Sequence, residues 1–452
     1  MKDIIIKDIL DDFKAHLEEK NDFLLRNLMI DMHPADIAEL LRYIDDEDKQ
    51  YLFSLLSDEI ASEVLTELDE NTKEDILESI DTQAISKLVD ELDTDDAADI
   101  ISELEDDVAK EVLENIEDKH SEEIKELLSY PEDSAGGIMA KEFIAVHDKS
   151  TVQEAIEIIR KNRDLIEDVY NIYVVDDYGK FLGIVSIRDL VLADPNDQVH
   201  KIMDENYPAV HADMDQEQVA KLFKKYDLIT LPVVNEKHLL VGHISIDDVV
   251  DVIEEEIEED ISYIAGTTEE ALYEDSSFKI TRARLPWLFA SFFGEILSAI
   301  ILSKFEATLN QIVASAFFIP IIMAMGGATG QQTGIIVVRG LVTGNFSMQN
   351  ISKRILTEIR STILTGLTFA IIIWLVVYLW MQDWIFGLIL GVSILIVISF
   401  AGLIGSVIPV VFKKLNIDPA LVTGPLIATT NDILGLLIYF SFLSVSYQMF
   451  MQ

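Results

Sequence analysis

The chain is 452 residues long and carries 34 Lys and Arg against 81 Asp and Glu, a formal net charge of −47. That balance argues against nucleic acid as a partner, because phosphate binding needs a positive face. There is no cysteine, which excludes disulfides, thiolate metal sites and thiol chemistry.

The charge is unevenly spread. From Lys279 onward there are 10 basic and 6 acidic residues, a net of +4, whereas the first 278 residues hold 24 basic and 75 acidic ones, a net of −51. The first part reads as an acidic soluble assembly and the second as a membrane domain. So large an excess destabilises compact states unless cations screen or bind it, and hard divalent ions prefer carboxylate oxygens. The opening stretch MKDIIIKDILDDF has too short an apolar run for a signal peptide, which leaves the acidic part on the cytoplasmic side.

From about Asp3 to Tyr130 the pattern predicts short amphipathic helices broken by Asp-rich turns. HPADIAELLRYI, DEIASEVLTEL, TQAISKLVDEL and DDVAKEVLENI recur at roughly 24-residue intervals, with a second set of helical segments between them. Helices this short are marginal alone, so neighbours must stack to bury their shared stripe, as in an α-solenoid.

An internal duplication follows. VQEAIEIIRKN, IYVVDDYGKFLGIVSIRDL and then QEQVAKLFKKYD, LPVVNEKHLLVGHISIDDV each predict a helix, two strands and a Ser-x-x-Asp helix start, at Ser186/Asp189 and Ser245/Asp248. The pair resembles tandem CBS domains, in which the cleft between copies often holds an adenosine nucleotide. On that resemblance Asp189 would contact the ribose, with Ser186 and Arg188 beside it and Tyr170 as the base-stacking group. Both motifs also suit plain helix N-caps.

The second copy runs into DDVVDVIEEEIEEDISYIAG, one apolar stripe crowded by Asp and Glu. Like charges at i, i+4 destabilise an isolated helix by a few tenths of a kcal/mol each, and a bound cation would reverse that sign. One linker, Thr267 to Arg284, leads from it into the membrane domain.

Five apolar segments follow, about Pro286–Lys304, Ile312–Gly340, Ile355–Gln382, Trp384–Phe412 and Ala420–Phe450, each long enough to span. Basic residues flank them at Arg282/Arg284, Arg339/Lys353/Arg354/Arg360 and Lys413/Lys414, which puts those loops in the cytoplasm and the C-terminus outside. Segment two holds the Gly-rich run Met325 to Gly334, which either breaks a membrane helix or lets helices pack closely. Glu295 lies in segment one. Asp432 lies in segment five, and Gly424, Pro425 and Thr429–Asn431 are expected to loosen the helix before it. A carboxylate at the centre of a spanning helix costs roughly 2.5–3.5 kcal/mol on insertion scales, so Asp432 marks a cation path or has a local polar partner.

The order of these parts resembles the MgtE family of magnesium channels and transporters over essentially the whole chain. HPADIAELL (33–41), YPEDSAGGIM (130–139), the Gly-rich element followed by IIVVRGL (326–341) and DPALVTGPLIATTNDILGLLIYF (418–440) carry the resemblance. It implies a multidomain fold: an α-helical superhelical repeat domain over residues 1–130, CBS domains over 131–198 and 199–247, an acidic plug helix and linker over 248–284, and a five-helix transmembrane domain over 285–452. It further implies a homodimer in the cell membrane whose pore admits Mg²⁺, with Asp432 as the pore carboxylate and Gly327, Ala328, Gln332, Thr429 and Asn431 as candidate pore-lining residues. Cytosolic Mg²⁺ would hold the pore shut through Glu217, Asp227, Asp248, Asp251, Glu256, Glu259 and Asp260, and ATP or another adenine nucleotide would occupy the CBS cleft. One departure stands out: the family's Gly-rich element usually reads GGN-x-G, and this chain has Ala328 at the Asn position.

Two other functions fit the same residues, an ion-coupled divalent cation transporter or exporter with nucleotide-regulated CBS domains, and a membrane-anchored nucleotide sensor without transport. An enzyme is not expected, since no P-loop, HExxH or nucleophile–base motif occurs.

Overall fold

The computed structural model describes residues 13, 16–17, 19–163, 169–268, 271, 276–343, 346, 350–415, 417–422 and 424–450, so most of the opening MKDIIIKDILDDF stretch lies outside the described residues. The chain divides into two compact units, Met1–Glu256 and Ile257–Gln452.

The first unit opens with the helical array. Helices begin at Pro34, Asp58, Thr82 and Asp106, and a second set at Asp22, Asp46, Glu70, Thr94 and Asp118, so the sequence period of 24 is also the spatial repeat. The Asp-rich turns supply the starts: Asn21, His33, Asp69 and Asp81 each accept a hydrogen bond from a backbone N–H of the first helical turn. Successive members of a set stack, Pro34–Leu41 on Asp58–Thr66, that helix on Thr82–Asp90, and that on Asp106–Asn115. The apolar stripe becomes a continuous core with Ile37, Leu41, Val64, Leu65, Val89, Ile100 and Val112 buried. Burying each such side chain stabilises by about 1.5–3 kcal/mol, which short helices cannot achieve singly.

The duplication appears as two three-stranded sheets of the same strand order. In the first, β1 (Ala145–His147) runs parallel to β2 (Asn171–Val175), which pairs antiparallel with β3 (Phe181–Ser186); β4 (Val210–His211), β5 (Thr230–Val234) and β6 (Leu240–Ser245) repeat that order. Register is conserved between the copies, Asn171 opposite Ser186 and Thr230 opposite Ser245, each pair of strands shifting at its second valine. The copies are joined by Asn171 Nδ2 donating to Thr230 Oγ1 at 3.0 Å and by an aromatic cluster in which His243 lies 5.8 Å from the Tyr173 ring and 6.4 Å from that of Phe143.

His243 bears on acid stability. Burial pushes its pKa down from 6.5 to about 4, against the opposing pull of Asp247, and its Nδ1 has no partner. The folded ring thus stays neutral while the unfolded ring protonates, so this residue's contribution to stability is lost as pH falls from about 6.5 towards 4, by up to roughly 3 kcal/mol. Thermal melts between pH 7.5 and 5 should show a smaller acid penalty in His243→Leu than in the unmutated protein. Equal penalties would contradict the assignment.

The helix Ile246–Ala265 runs out of β6 and carries the chain from the first unit into the second. In the second unit five helices are long and apolar enough to cross a membrane: Ser277–Lys304, Val313–Val342, Ile351–Met381, Trp384–Lys414 and Pro425–Met449. The fourth is the most enclosed and packs on the second, third and fifth, while the first lies against the fifth. Tyr439 of the fifth donates its hydroxyl to the Ser315 carbonyl at 3.0 Å, fixing the fifth against the 3-10 turn Val313–Phe318 that opens the second.

Two local expectations are corrected, and one pair of alternatives is resolved. Residues 277–284, read as linker, are already helical, and Pro286 sits inside the first spanning helix. The Gly-rich run does not break its helix: Ile319–Val342 is continuous, and the small residues let the fourth helix approach so closely that a Cβ on Gly405 would lie 2.3 Å from the Gly330 carbonyl oxygen. Thr429–Asn431 do not loosen the fifth helix either, because Pro425 is its first residue, a position whose missing N–H has no intrahelical acceptor to lose.

Candidate functional site

Within the membrane-spanning unit the polar groups converge on Asp432. Its carboxyl is brought to that of Glu295 from the first helix, and Gly327 of the second faces it, a Cβ there standing 3.9 Å from Asp432 Oδ1. The preceding residue, Asn431, is only 3% exposed, and neither its side-chain oxygen nor its nitrogen has a hydrogen-bond partner. It fits because position 330 is glycine, since a Cβ there would be 1.7 Å from Asn431 Nδ2. An unpaired buried amide costs roughly 1–3 kcal/mol, and a hydrated ion beside it would satisfy it. Thr429 is half-buried and donates its hydroxyl to the Pro425 carbonyl at 2.7 Å. Ala328 and Gln332 are not brought to this cluster; one turn apart, they occupy the exposed face of the second helix, whereas Gly326, Thr329, Gly330 and Thr333 are buried. Gly330 was not singled out in the sequence, where its neighbour was invisible.

A second concentration of carboxylates lies in the first unit. Half-buried Asp95 and Asp96 open the helix Thr94–Glu103, and Asp248 sits in the first turn of Ile246–Ala265. Burial, then the charges of Asp248, Asp96, Asp93 and Glu142, hold Asp95 well above the usual carboxylate range. Burial, then Asp248 and Asp93, push Asp96 up to about 7 against the pull of Lys73. Asp248 is also raised by burial, although the Ser245 hydroxyl and N–H both donate to it. Asp99, Asp251 and Glu255 are more exposed and are displaced in the same direction, by burial first and by the neighbouring carboxylates second. Carboxylates crowded in this way are stabilised by a proton or a cation. Asp248 and Asp251 were expected here from sequence; Asp95, Asp96 and Asp99 were missed, because DTDDAAD reads simply as a helix start.

The other expected regulatory carboxylates are dispersed. Glu217 pairs with Lys221 at 2.6 Å, and Glu256 accepts from Gln216 Nε2 at 3.0 Å. Glu259 accepts from the Tyr263 hydroxyl at 2.6 Å, and Asp260 is half-buried beside it. Both lie on the part of the connecting helix that belongs to the second unit. That end abuts the fifth spanning helix: a Cβ on Gly424 would lie 3.0 Å from the Ile264 carbonyl oxygen, and one on Gly266 3.1 Å from the Pro425 ring.

The third feature is a cleft of about 310 Å³ between the two α/β copies, lined by Asn171, Ser186, Asp189, Asp204, Tyr207, Tyr226 and Asp227 among others. Ser186 caps the helix Ile187–Leu192 and donates its hydroxyl to Asp189 Oδ2 at 2.6 Å, so the capping and cleft-lining roles coexist. Asp227 therefore stands with Asp189. Its left-handed backbone, φ 53°, ends the helix Gln216–Tyr226 and turns the chain into the cleft. Tyr170 is exposed and, like Arg188, does not line the cleft; Tyr207 and Tyr226 supply the aromatic groups. The two Ser-x-x-Asp motifs have thus diverged, the first facing a cleft and the second joining the carboxylate cluster.

Fold and sites together define a multi-pass membrane protein that places a carboxylate pair among its spanning helices and joins them to an acidic helical array and a paired α/β unit. Residues 319–442 match the MgtE divalent cation transporter family, residues 32–133 the MgtE intracellular N domain, and residues 135–196 and 199–255 the CBS domain. The chain is 37% identical over 317 residues to the magnesium transporter MgtE of Thermus thermophilus and 34% identical over 314 to that of Bacillus subtilis, covering 70% of each chain in both cases. It is also similar to the crystal structure of the cytosolic domain of the Mg²⁺ channel MgtE in complex with ATP, at 34% identity and a TM-score of 0.52 over 54% of this chain and 99% of that one. The chain belongs to the MgtE family of magnesium transporters. It is a membrane transport protein, not an enzyme.

Proposed function

We propose that this protein is a homodimeric Mg²⁺ channel of the plasma membrane that mediates uptake and is closed by cytosolic Mg²⁺. The observation that carries the transport reading is the juxtaposition of Asp432, Glu295 and the unpartnered Asn431 amide inside the spanning unit. Mg²⁺ dehydrates reluctantly and is bound through one or two carboxylates with several waters retained, which is the chemistry this set offers: two charges for the ion and an amide for its water shell. Basic loops flanking the spans support a cytoplasmic N-terminal part and an external C-terminus. Expression in Mg²⁺-starved cells lacking other Mg²⁺ transporters tests it. Growth and uptake without a Na⁺ or H⁺ gradient are expected, and uptake that requires such a gradient would point to a coupled transporter.

Gating follows from the carboxylate cluster. Asp95 and Asp96 belong to the helical array, and Asp248 and Asp251 to the helix that continues towards the fifth span. Mg²⁺ bound among them relieves their mutual repulsion and holds array and helix together; when Mg²⁺ falls, like charges separate them. Because the same helix ends against Gly424 and Pro425, its movement reaches the helix that carries Asp432.

The cleft is the site we assign to an adenine nucleotide. Asp189 and Asp227 suit ribose hydroxyls, and Tyr207 and Tyr226 offer faces for the base. Three lining carboxylates, Asp189, Asp204 and Asp227, disfavour bare phosphates, so the nucleotide enters base and ribose first, with its phosphates carried as the Mg²⁺ complex. Calorimetry with MgATP should show at least tenfold weaker binding to Asp189→Ala than to the unmutated chain. Unchanged binding would remove the cleft from the account.

A further inference from the structure

A third group of metal-ligating side chains lies apart from all of these. His120 and Glu123 sit three residues apart on the helix Asp118–Leu127, so they share a face. Glu142 comes from the segment that leads into β1. One ligating atom from each lies within 4.8 Å of the other two, and all three side chains are half-buried.

Two of the three are also held by hydrogen bonds. His120 Nε2 is 3.1 Å from the Val89 carbonyl oxygen. A carbonyl only accepts, so Nε2 donates here, and Nδ1 is the nitrogen that a metal ion would take. Glu142 Oε2 accepts from the hydroxyl of fully buried Thr94 at 2.8 Å and from its N–H at 3.4 Å; the same hydroxyl accepts from Lys141 N–H at 2.8 Å. Holding an imidazole by its second nitrogen and a carboxylate by a hydroxyl is how proteins aim ligands at a metal ion. Glu123 is the looser member, pairing at 3.2 Å with Lys119, an exposed side chain free to swing away.

We infer that His120, Glu123 and Glu142 form a binding site for a first-row transition-metal ion, of the Mn²⁺, Co²⁺ or Zn²⁺ class, that ties the last helix of the array to the start of the first α/β copy. An imidazole beside two carboxylates suits these ions, whereas Mg²⁺ favours an all-oxygen shell rich in water. The site is therefore chemically distinct from the Asp95/Asp248 cluster, although Glu142 also contributes to the field at Asp95. Metal here would neutralise one member of that field and clamp the array to the α/β pair, which gives the protein a second cation input. That regulatory part rests on the gating proposed above; the binding does not.

Zn²⁺ titration of the full chain in detergent, in millimolar Mg²⁺ to occupy oxygen-rich sites, tests the binding without any transport readout. One Zn²⁺ per protomer is expected, weakened at least about tenfold by His120→Ala and by Glu142→Gln. Lys119→Ala, which releases Glu123, should bind more tightly. Asp95→Asn should weaken Zn²⁺ binding far less than His120→Ala does, even if it abolishes closure by Mg²⁺, which separates this site from the gating cluster. Zn²⁺ affinity equal in His120→Ala, Glu142→Gln and the unmutated chain, with all three showing the same circular dichroism, would overturn the assignment. A Co²⁺ complex whose visible spectrum is unchanged by His120→Ala would do the same.

Discussion

Replacing Asp432 with Ala should reduce Mg²⁺ flux by about three orders of magnitude while leaving the protein folded. Asp432 is half-buried in the fifth spanning helix beside Glu295 and opposite Gly327. A unit charge pair about 4 Å apart is worth about 4 kcal/mol at an effective dielectric of 20, and a divalent ion losing one of two carboxylates loses at least that much. Because the residue's neighbours are carboxylate, glycine and amide rather than an Arg or Lys, removing it strands no buried cation, so the fold should survive. Asp432→Asn keeps the shape and should fail nearly as badly, which separates charge from packing. Glu295→Gln should weaken flux less, since Glu295 is the more exposed partner. The Asn431 amide predicts a subtler effect: Asn431→Leu should blunt discrimination between Mg²⁺ and Ca²⁺ more than it lowers total flux.

The second large effect concerns closure. The triple variant Asp95→Asn, Asp96→Asn, Asp248→Asn should keep conducting at millimolar cytosolic Mg²⁺, where the proposed gating predicts that the unmutated protein closes. Each of these carboxyls is raised above its ordinary range, by burial first and then by neighbouring carboxylates, Asp248 for Asp95 and Asp96 and Asp247 for Asp248, and a bound cation offsets that repulsion. Neutralising all three removes both the repulsion that opens and the charge that binds, so the array and the connecting helix lose their Mg²⁺ response. Limited proteolysis reads the same event without flux: millimolar Mg²⁺ should protect the unmutated soluble part and leave the variant's cleavage pattern unchanged. Mg²⁺ protection that persists in the variant would place the sensor elsewhere.

How far the residues alone led depends on the scale of the feature. The helical array was legible because its period is local: Asp-rich caps every dozen residues and an i, i+3, i+4 stripe leave few alternatives. The duplicated α/β unit was legible for the same reason, down to the matched Ser186 and Ser245. Asp432 was conspicuous because a carboxylate in an apolar run is costly wherever it points. What the residues could not disclose were pairings between distant segments. Asp95 and Asp96 meet Asp248 across some 150 positions of sequence, and nothing in DTDDAAD distinguishes a helix start from half of a carboxylate cluster. Tyr226 and Asp227 likewise belong to a cleft only because the helix that carries them ends beside the other copy. The Gly-rich run left two readings open, a broken helix or close packing, and its partner was not visible: Gly330, and Gly405 on the fourth helix, stay helical and use their missing side chains for close approach and for the Asn431 amide.

The central claim joins a carboxylate pore to a carboxylate sensor, and one measurement addresses both. In vesicles reconstituted with the full-length protein, Mg²⁺ influx is followed while Mg²⁺ on the side facing the acidic domains is stepped from micromolar to millimolar. The account predicts rapid flux at low Mg²⁺, closure at high Mg²⁺, no flux in Asp432→Ala at either, and sustained flux at high Mg²⁺ in the Asp95/Asp96/Asp248 triple variant. Flux in Asp432→Ala equal to that of the unmutated protein, or closure unaltered in the triple variant, would contradict it.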